Sequence, residues 1–292
     1  MIDLLVLALI RLQIAAAVGV LAVLLLRLPV RWMFGPRLAY GLWMLVPTAA
    51  IAGLFPSLAE TTQTGVAATP LGASLALKLL LVWIVGAGLL GGVMVLQERA
   101  FRRKAQRGQA GPAVMGALWP RLVLPADFEA RFSARERDLI LLHERTHIRR
   151  GDPVANLIVA GCRVVGWCNP MIHIGAALAR IDQELACDAT VLAVRRDIRA
   201  DYARALLKVS HATLASPLAC GWGAHPLVLR VGFVGRTEPS RRRQIAGYVF
   251  LPLMAIATFL VIWTQAPRGF DSLALAPDAL YVPSAEQGWK LP

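Results

Sequence analysis

The stretch LALKLLLVWIVGAGLLGGVMVLQERAFRRKAQR, Leu75 to Arg107, decides how the chain is read. From Leu75 to Leu96 it is apolar for long enough to cross the roughly 30 Å hydrocarbon layer of a bilayer as a helix. Arg99, Arg102, Arg103, Lys104 and Arg107 follow at once, and such a cluster stays on the cytoplasmic side. A membrane span that ends inside, with soluble-looking sequence after it, is therefore the starting point.

Working outward, three more runs fit the same description: Ile2 to Leu26, Leu38 to Phe55 with Pro47 inside it, and Gly247 to Thr264 with Pro252. Proline is tolerated in membrane helices. The first run lacks a basic leader and carries Asp3, so it reads as a retained anchor rather than a cleaved signal peptide. Arg11 and Gln13 interrupt it, with Arg11 near enough to one end to snorkel. Arg27, Arg31 and Arg37 separate the first two runs, whereas the loop between the second and third carries only Glu60. Arg241, Arg242 and Arg243 precede the fourth. Loop charge thus places the first loop and the long insert inside, and both termini outside. The expected organisation is a three-helix region over 1–98, with spans near 2–26, 38–55 and 75–96. A cytoplasmic domain over 99–246, a fourth span over 247–264 and a short extracytoplasmic tail over 265–292 complete it.

Composition supports this reading. Hydrophobic residues make up 57% of the 292, charged ones 17%, and mean hydropathy is +0.57, which excludes disorder and an ordinary soluble fold. The net charge of +13 could suggest nucleic-acid binding, but 24 Lys and Arg against 13 Asp and Glu fall between residues 98 and 248, beside the apolar runs. Positive-inside bias accounts for the excess, and no direct nucleic-acid contact is expected. Cys162, Cys168, Cys187 and Cys220 show no C-x-x-C spacing and read as structural thiols.

The insert carries the chemistry. Ser133 and Glu136 form a capping box that opens a helix near Ala134; Gly151 stops it, and Asp152-Pro153 reads as an N-cap and first-turn proline for the next helix. On the helix between lies His143-Glu144-Arg145-Thr146-His147. Two histidines four apart share a face, with Cβ atoms roughly 5–6 Å apart, so both imidazoles can reach one zinc ion. Glu144 projects beside that face, where it can take a proton from water without ligating. Asn169-Pro170 opens a later helix that puts Glu184 and Asp188 on one side. Glu184 as third ligand completes a hydrolytic His₂Glu set, and Asp188, a turn later, can accept the free ring N–H of a ligating histidine. Asp182 lies about 200° around that helix from Glu184 and cannot serve equally well. The bland alternative is a solvated face on which Glu184 and Asp188 pair with Arg180.

The blocks Ser133 to Glu136, His143 to Asp152, Trp167-Cys168-Asn169-Pro170 and Gln183-Glu184-Leu185-Ala186-Cys187-Asp188 together resemble the BlaR/MecR-type integral-membrane zinc metallopeptidases. The resemblance implies a mainly α membrane protein of four transmembrane helices, with a cytoplasmic gluzincin-like α+β protease domain inserted between the third and fourth. It implies Zn2+ held by His143, His147 and Glu184, with Glu144 as catalytic base and Asp188 behind the ligands. It further implies signal transduction at the bacterial inner membrane by cleavage of a cytoplasmic winged-helix repressor, often with self-cleavage. Arg236 and Arg241 to Arg243 resemble the family's approach to its last span, with no catalytic role. Antibiotic-sensing members carry an extracellular penicillin-binding domain with S-x-x-K; that motif is absent here, so the chain reads as a short member whose signal comes from a separate sensor, the tail or the membrane. The alternatives are a housekeeping protease of the prenyl-endopeptidase or HtpX type, and a non-hydrolytic signalling scaffold.

Four smaller readings complete the expectations. Pro153 to Ala179 is apolar but interrupted, and reads as a buried or membrane-surface helix pair rather than a fifth span. Arg102 to Gly116 reads as a mobile linker, and Arg121 to Leu124 as a short strand that could hold an extended peptide if it is an edge. Gly88 and Gly92 offer a small-x-x-x-small pair. His173, His211, His225 and Tyr202 are candidates for stabilising a tetrahedral intermediate, although a core or surface role is the simpler reading for each histidine.

Overall fold

A computed structural model describes residues 2–55, 73–194, 198–209, 220–221, 227–236 and 239–264. The loop from Pro56, the tail after Thr264, His211 and His225 lie outside the described residues.

Among the described residues, three helices are long and apolar enough to cross a membrane: α1 (Ile2–Phe34), α4 (Ala73–Gln106) and α11 (Arg241–Thr264), with candidate spans Leu5–Phe34, Ser74–Gln106 and Arg241–Thr264. The chain is a mainly helical membrane protein. Each helix outruns the apolar run that announced it, because Arg, Lys and Gln are good helix formers and carry the coil on past the hydrocarbon. At the end of α4, Arg102 bonds Glu98 one turn back at 2.9 Å. The stretch expected as a mobile linker is accordingly helical through Gln106, and then supplies strand β1 (Ala113–Met115).

The second expected span, 38–55, is a broken path: α2 (Pro36–Gly41), a 3₁₀ turn (Leu42–Met44) and α3 (Leu45–Ala52). Pro47 has no N–H to return to the preceding turn, and the coil tightens just ahead of it. Neither piece alone is long enough to span. The segment packs closely on α1 through small residues: a Cβ on Gly19 would lie 3.0 Å from that of Ala49, and one on Gly53 would lie 2.9 Å from that of Ala15. Gly88 and Gly92 face open space; the glycine of α4 that is used is Gly86, where a Cβ would overlap the Trp167 ring.

The insert hangs from the shared end of these helices. β1 pairs antiparallel with β2 (Arg121–Val123) and β3 (Cys220–Gly221) in the order β2-β1-β3, so β2 is an edge among the described residues. A short α5 (Phe128–Arg131) leads to α6 (Ala134–Arg150), whose capping box is formed as expected: Glu136 N–H donates to Ser133 Oγ at 3.3 Å, and Ser133 N–H to Glu136 Oε2 at 2.8 Å. Gly151 ends α6 with φ 73°, a left-handed value that favours glycine. The core joins Phe128, Phe132, Leu139 and Ile140 to Val191 and Leu192, and to Ile198, Tyr202 and Leu206 on and just before α9 (Arg199–Val209). α10 (Leu227–Val234) closes it with Val234.

Between α6 and this closure the chain makes a helical hairpin, α7 (Asp152–Val165) and α8 (Pro170–Val194). α8 runs parallel to α1: Asn169 meets Gln13, and further along both helices Asp182 meets Arg27. The Asp182 carboxylate is fully buried and accepts from Arg27 Nε and Nη2 at 3.0 Å each, Arg31 Nη1 at 3.4 Å and Trp43 Nε1 at 2.9 Å. The residue set aside as a ligand on helical-phase grounds therefore clasps the membrane helix, two positions before Glu184.

Candidate metal centre

α6 presents Leu139, Ile140, His143, Glu144 and His147 to the interior, the spacing of one helical face. α8 crosses it with Gln183, Glu184, Cys187 and Asp188 all buried. The two imidazoles meet edge to face, with Nε2 of His143 and Nε2 of His147 2.9 Å apart. Glu184 straddles them: Oε2 lies 3.4 Å from Nε2 of His143, and Oε1 3.4 Å from Nε2 of His147. Ligands at roughly 2.0–2.1 Å around a tetrahedral zinc would stand about 3.3–3.4 Å from one another. The two Glu184 contacts match that spacing, while the 2.9 Å between the imidazole nitrogens is about 0.4 Å short of it, a gap that a small turn of either ring closes.

The opposite nitrogens are committed elsewhere. His147 Nδ1 lies 2.6 Å from Asp152 Oδ2. His143 Nδ1 is 2.8 Å from the Tyr202 hydroxyl, which donates to Asp188 Oδ1 at 2.6 Å; Asp188 itself is 3.3 Å from that nitrogen. With acceptors on both Nδ1 atoms, protons are held there and the Nε2 lone pairs remain for a metal. Asp188 thus lies beside His143 Nδ1, connected mostly through Tyr202. Asp152 behaves differently from its sequence reading: Gly151 occupies the N-cap position of α7 and no side chain caps it, so the carboxylate is available to His147.

Arg230 on α10 is fully enclosed, with Nη1 3.2 Å from Glu184 Oε2 and Nε and Nη2 forked onto Asp188 at 2.8 and 2.7 Å. Burial pushes Glu184 and Asp188 toward protonation, and the Arg230 charge overcomes it, holding Glu184 well below the usual carboxylate range and Asp188 below its ordinary value. Tyr202 is pushed well up by burial and then by Asp188, so it remains a phenol that can donate. Sequence reasoning missed Arg230; a lone charge in the apolar run LVLRVGFV was the available signal.

Glu144 is fully buried, and neither carboxyl oxygen has a hydrogen-bond partner among the described residues. Burial raises its pKa to about 7, against the pull of His143 and His147. A buried carboxyl without a protein partner is costly, and such groups cluster at functional sites. Cys187 is a rival third ligand: its sulfur and one nitrogen of each histidine lie within 4.8 Å of one another. Its Sγ, however, lies 3.6 Å from the main-chain oxygen of His143, a weak hydrogen bond, whereas the Glu184 carboxylate touches both Nε2 atoms. His173 is remote from this cluster, bonded through Nε2 to the Trp167 carbonyl at 2.9 Å.

The family described as BlaR1 peptidase M56 matches residues 7–76 and 102–234. Regulatory protein BlaR1 of Bacillus licheniformis is 32% identical over 98 residues, covering 33% of this chain and 16% of the relative. The methicillin resistance mecR1 proteins of Staphylococcus aureus and Staphylococcus epidermidis are each 26% identical over 149 residues, covering 47% of this chain and 25% of theirs. The matches span a quarter or less of these relatives' length.

Proposed function

This chain belongs to the BlaR1 peptidase M56 family, and on that premise we propose that it is a membrane-embedded zinc endopeptidase of the gluzincin type that transduces a signal by cutting a cytoplasmic winged-helix repressor, with its own chain as a second target. His143, His147 and Glu184 hold Zn2+, and Glu144 is the base. The observation that carries this is the triangle of two Nε2 atoms and one carboxylate at 2.9, 3.4 and 3.4 Å, beside a buried Glu144 that has no hydrogen-bond partner among the described residues. Zinc, when bound, supplies Lewis acidity, lowering the pKa of water toward neutrality and polarising a peptide carbonyl.

The chain's own residues do the rest. Glu144, with a pKa of about 7, is poised to accept a proton and return it to the leaving amine. Asp152, and Tyr202 backed by Asp188, fix the ring orientations, while Arg230 keeps Glu184 ionised. The insert faces the cytoplasm in this reading, as the arginines around it require, and β2 offers an edge to an extended substrate. Glu144→Gln should retain one zinc per chain while cleavage of a co-expressed repressor falls at least about 10²-fold. Cleavage at the wild-type rate would remove Glu144 from the mechanism.

A further inference from the structure

We propose that the α7–α8 hairpin is re-entrant: it enters the bilayer from the insert's side, turns within the hydrocarbon and returns, so its outer face is a surface for lipid chains. The proposal rests on α1 and α4 being membrane spans and goes beyond the peptidase reading.

Two membrane helices gauge the depth independently. On α1, the hairpin base is tied at Arg27 through Asp182 and its tip at Gln13 through Val165 and Asn169. Those α1 positions are separated by about 21 Å of helix, and Asp182 and Asn169 by about 20 Å. On α4, Trp83 Nε1 donates to the Val165 carbonyl at 3.0 Å, and Gly86 makes room for Trp167. Trp83 lies about 24 Å from Arg99, where the basic cluster begins. The two rulers put the tip about 70–80% of the way through a core of about 30 Å.

Irregular backbone at that depth survives only if its polar groups are met by protein. Most of the turn's placed polar groups are met by protein, the buried indole Nε1 of Trp167 being the exception among the described residues. The Val165 carbonyl accepts from Gln13 Nε2 at 2.9 Å as well as from Trp83, and the Trp167 carbonyl bonds His173 at 2.9 Å. Asn169 bonds Gln13 at 3.0 Å while its own oxygen accepts from Met171 N–H at 3.1 Å. This explains Gln13, the amide that interrupts the first apolar run. Between residues 153 and 179 every exposed side chain is apolar or a thiol, including Val154, Leu157, Ile158, Cys168 and Ile174. The single formal charge, Arg163, is half-buried with Nε 3.5 Å from His173 Nδ1.

Cys168 stands exposed at the tip and serves as the probe. In the full chain with Cys162→Ala and Cys220→Ser, and with Cys187 left because it is fully buried, a nitroxide is attached to Cys168 and the protein is reconstituted in phosphatidylcholine vesicles. Power-saturation resonance then compares collisions with oxygen and with a water-soluble nickel chelate. The reference sites, each made with Cys168→Ser, are Leu89→Cys, exposed on α4, and Arg135→Cys, exposed on α6. Cys168 should match Leu89→Cys, favouring oxygen over nickel. A nickel-accessible Cys168 resembling Arg135→Cys would overturn the proposal, as would nickel access to Leu89→Cys. Zinc content and repressor cleavage measured on the same samples report the peptidase reading separately.

Discussion

Arg27→Met removes two of the four donors to a carboxylate that has no exposure to solvent. Asp182 would keep Arg31 at 3.4 Å and Trp43 at 2.9 Å, so the loss is partial. Removing one partner of a buried pair costs about 3–5 kcal/mol, and the two remaining donors place this case near the lower figure. At roughly 2–4 °C per kcal/mol for a chain of this size, the melting temperature should fall by about 6–12 °C. Asp182→Asn is also destabilising, because it leaves Arg27 and Arg31 beside each other without a counter-charge. The double variant has neither the orphaned carboxylate nor the first guanidinium, so its loss should be smaller than the sum of the single losses by roughly 1–3 kcal/mol. Thermal unfolding of the purified full chain gives the cycle, and zinc release into a chelator gives a second reading, since Asp182 lies two residues before Glu184 on α8. Strict additivity of the two substitutions would refute the clasp.

Three further outcomes are expected. Tyr202→Phe removes the hydroxyl linking His143 to Asp188 and should weaken zinc affinity about 10–100-fold in a competition assay, with Asp188 still held by Arg230. Glu184→Gln should abolish stoichiometric zinc while Cys187→Ala retains it, as metal analysis would show; the reverse pattern would make the thiol the ligand. Ser133→Ala should cost about 1 kcal/mol of stability at neutral pH. Burial opposes ionisation of Glu136, but Lys208 and Ser133 together outweigh it and bring its folded pKa below 4.5, so its stabilisation is present above that pH and lost as pH falls through the folded value. Melting curves of wild type and Glu136→Gln should converge in acid.

Much of the chemistry was legible because it is local. The capping box, the stop at Gly151 and the two histidines one turn apart follow from helical periodicity, which needs no tertiary information. The helix-phase argument separated Asp182 from Glu184, and the two carboxylates do reach different partners. Long apolar runs followed by arginines announce membrane helices in the same local way. The break at Leu42–Met44 was harder to foresee, because Pro47 is compatible with either a kinked span or a broken one.

What only the tertiary structure decided is which distant groups meet. Arg230 and Tyr202 reach the histidine pair from helices separated from α6 by long stretches of chain, and no sequence period encodes that convergence. Asp152 has two plausible uses, helix cap or histidine partner, and only the position of Gly151 assigned it to His147. Gln13 and Asn169 are each a polar interruption of an apolar run when read alone. Placed side by side they satisfy one another and the Val165 carbonyl, because a polar group removed from water is tolerated only where another part of the chain is brought to meet it.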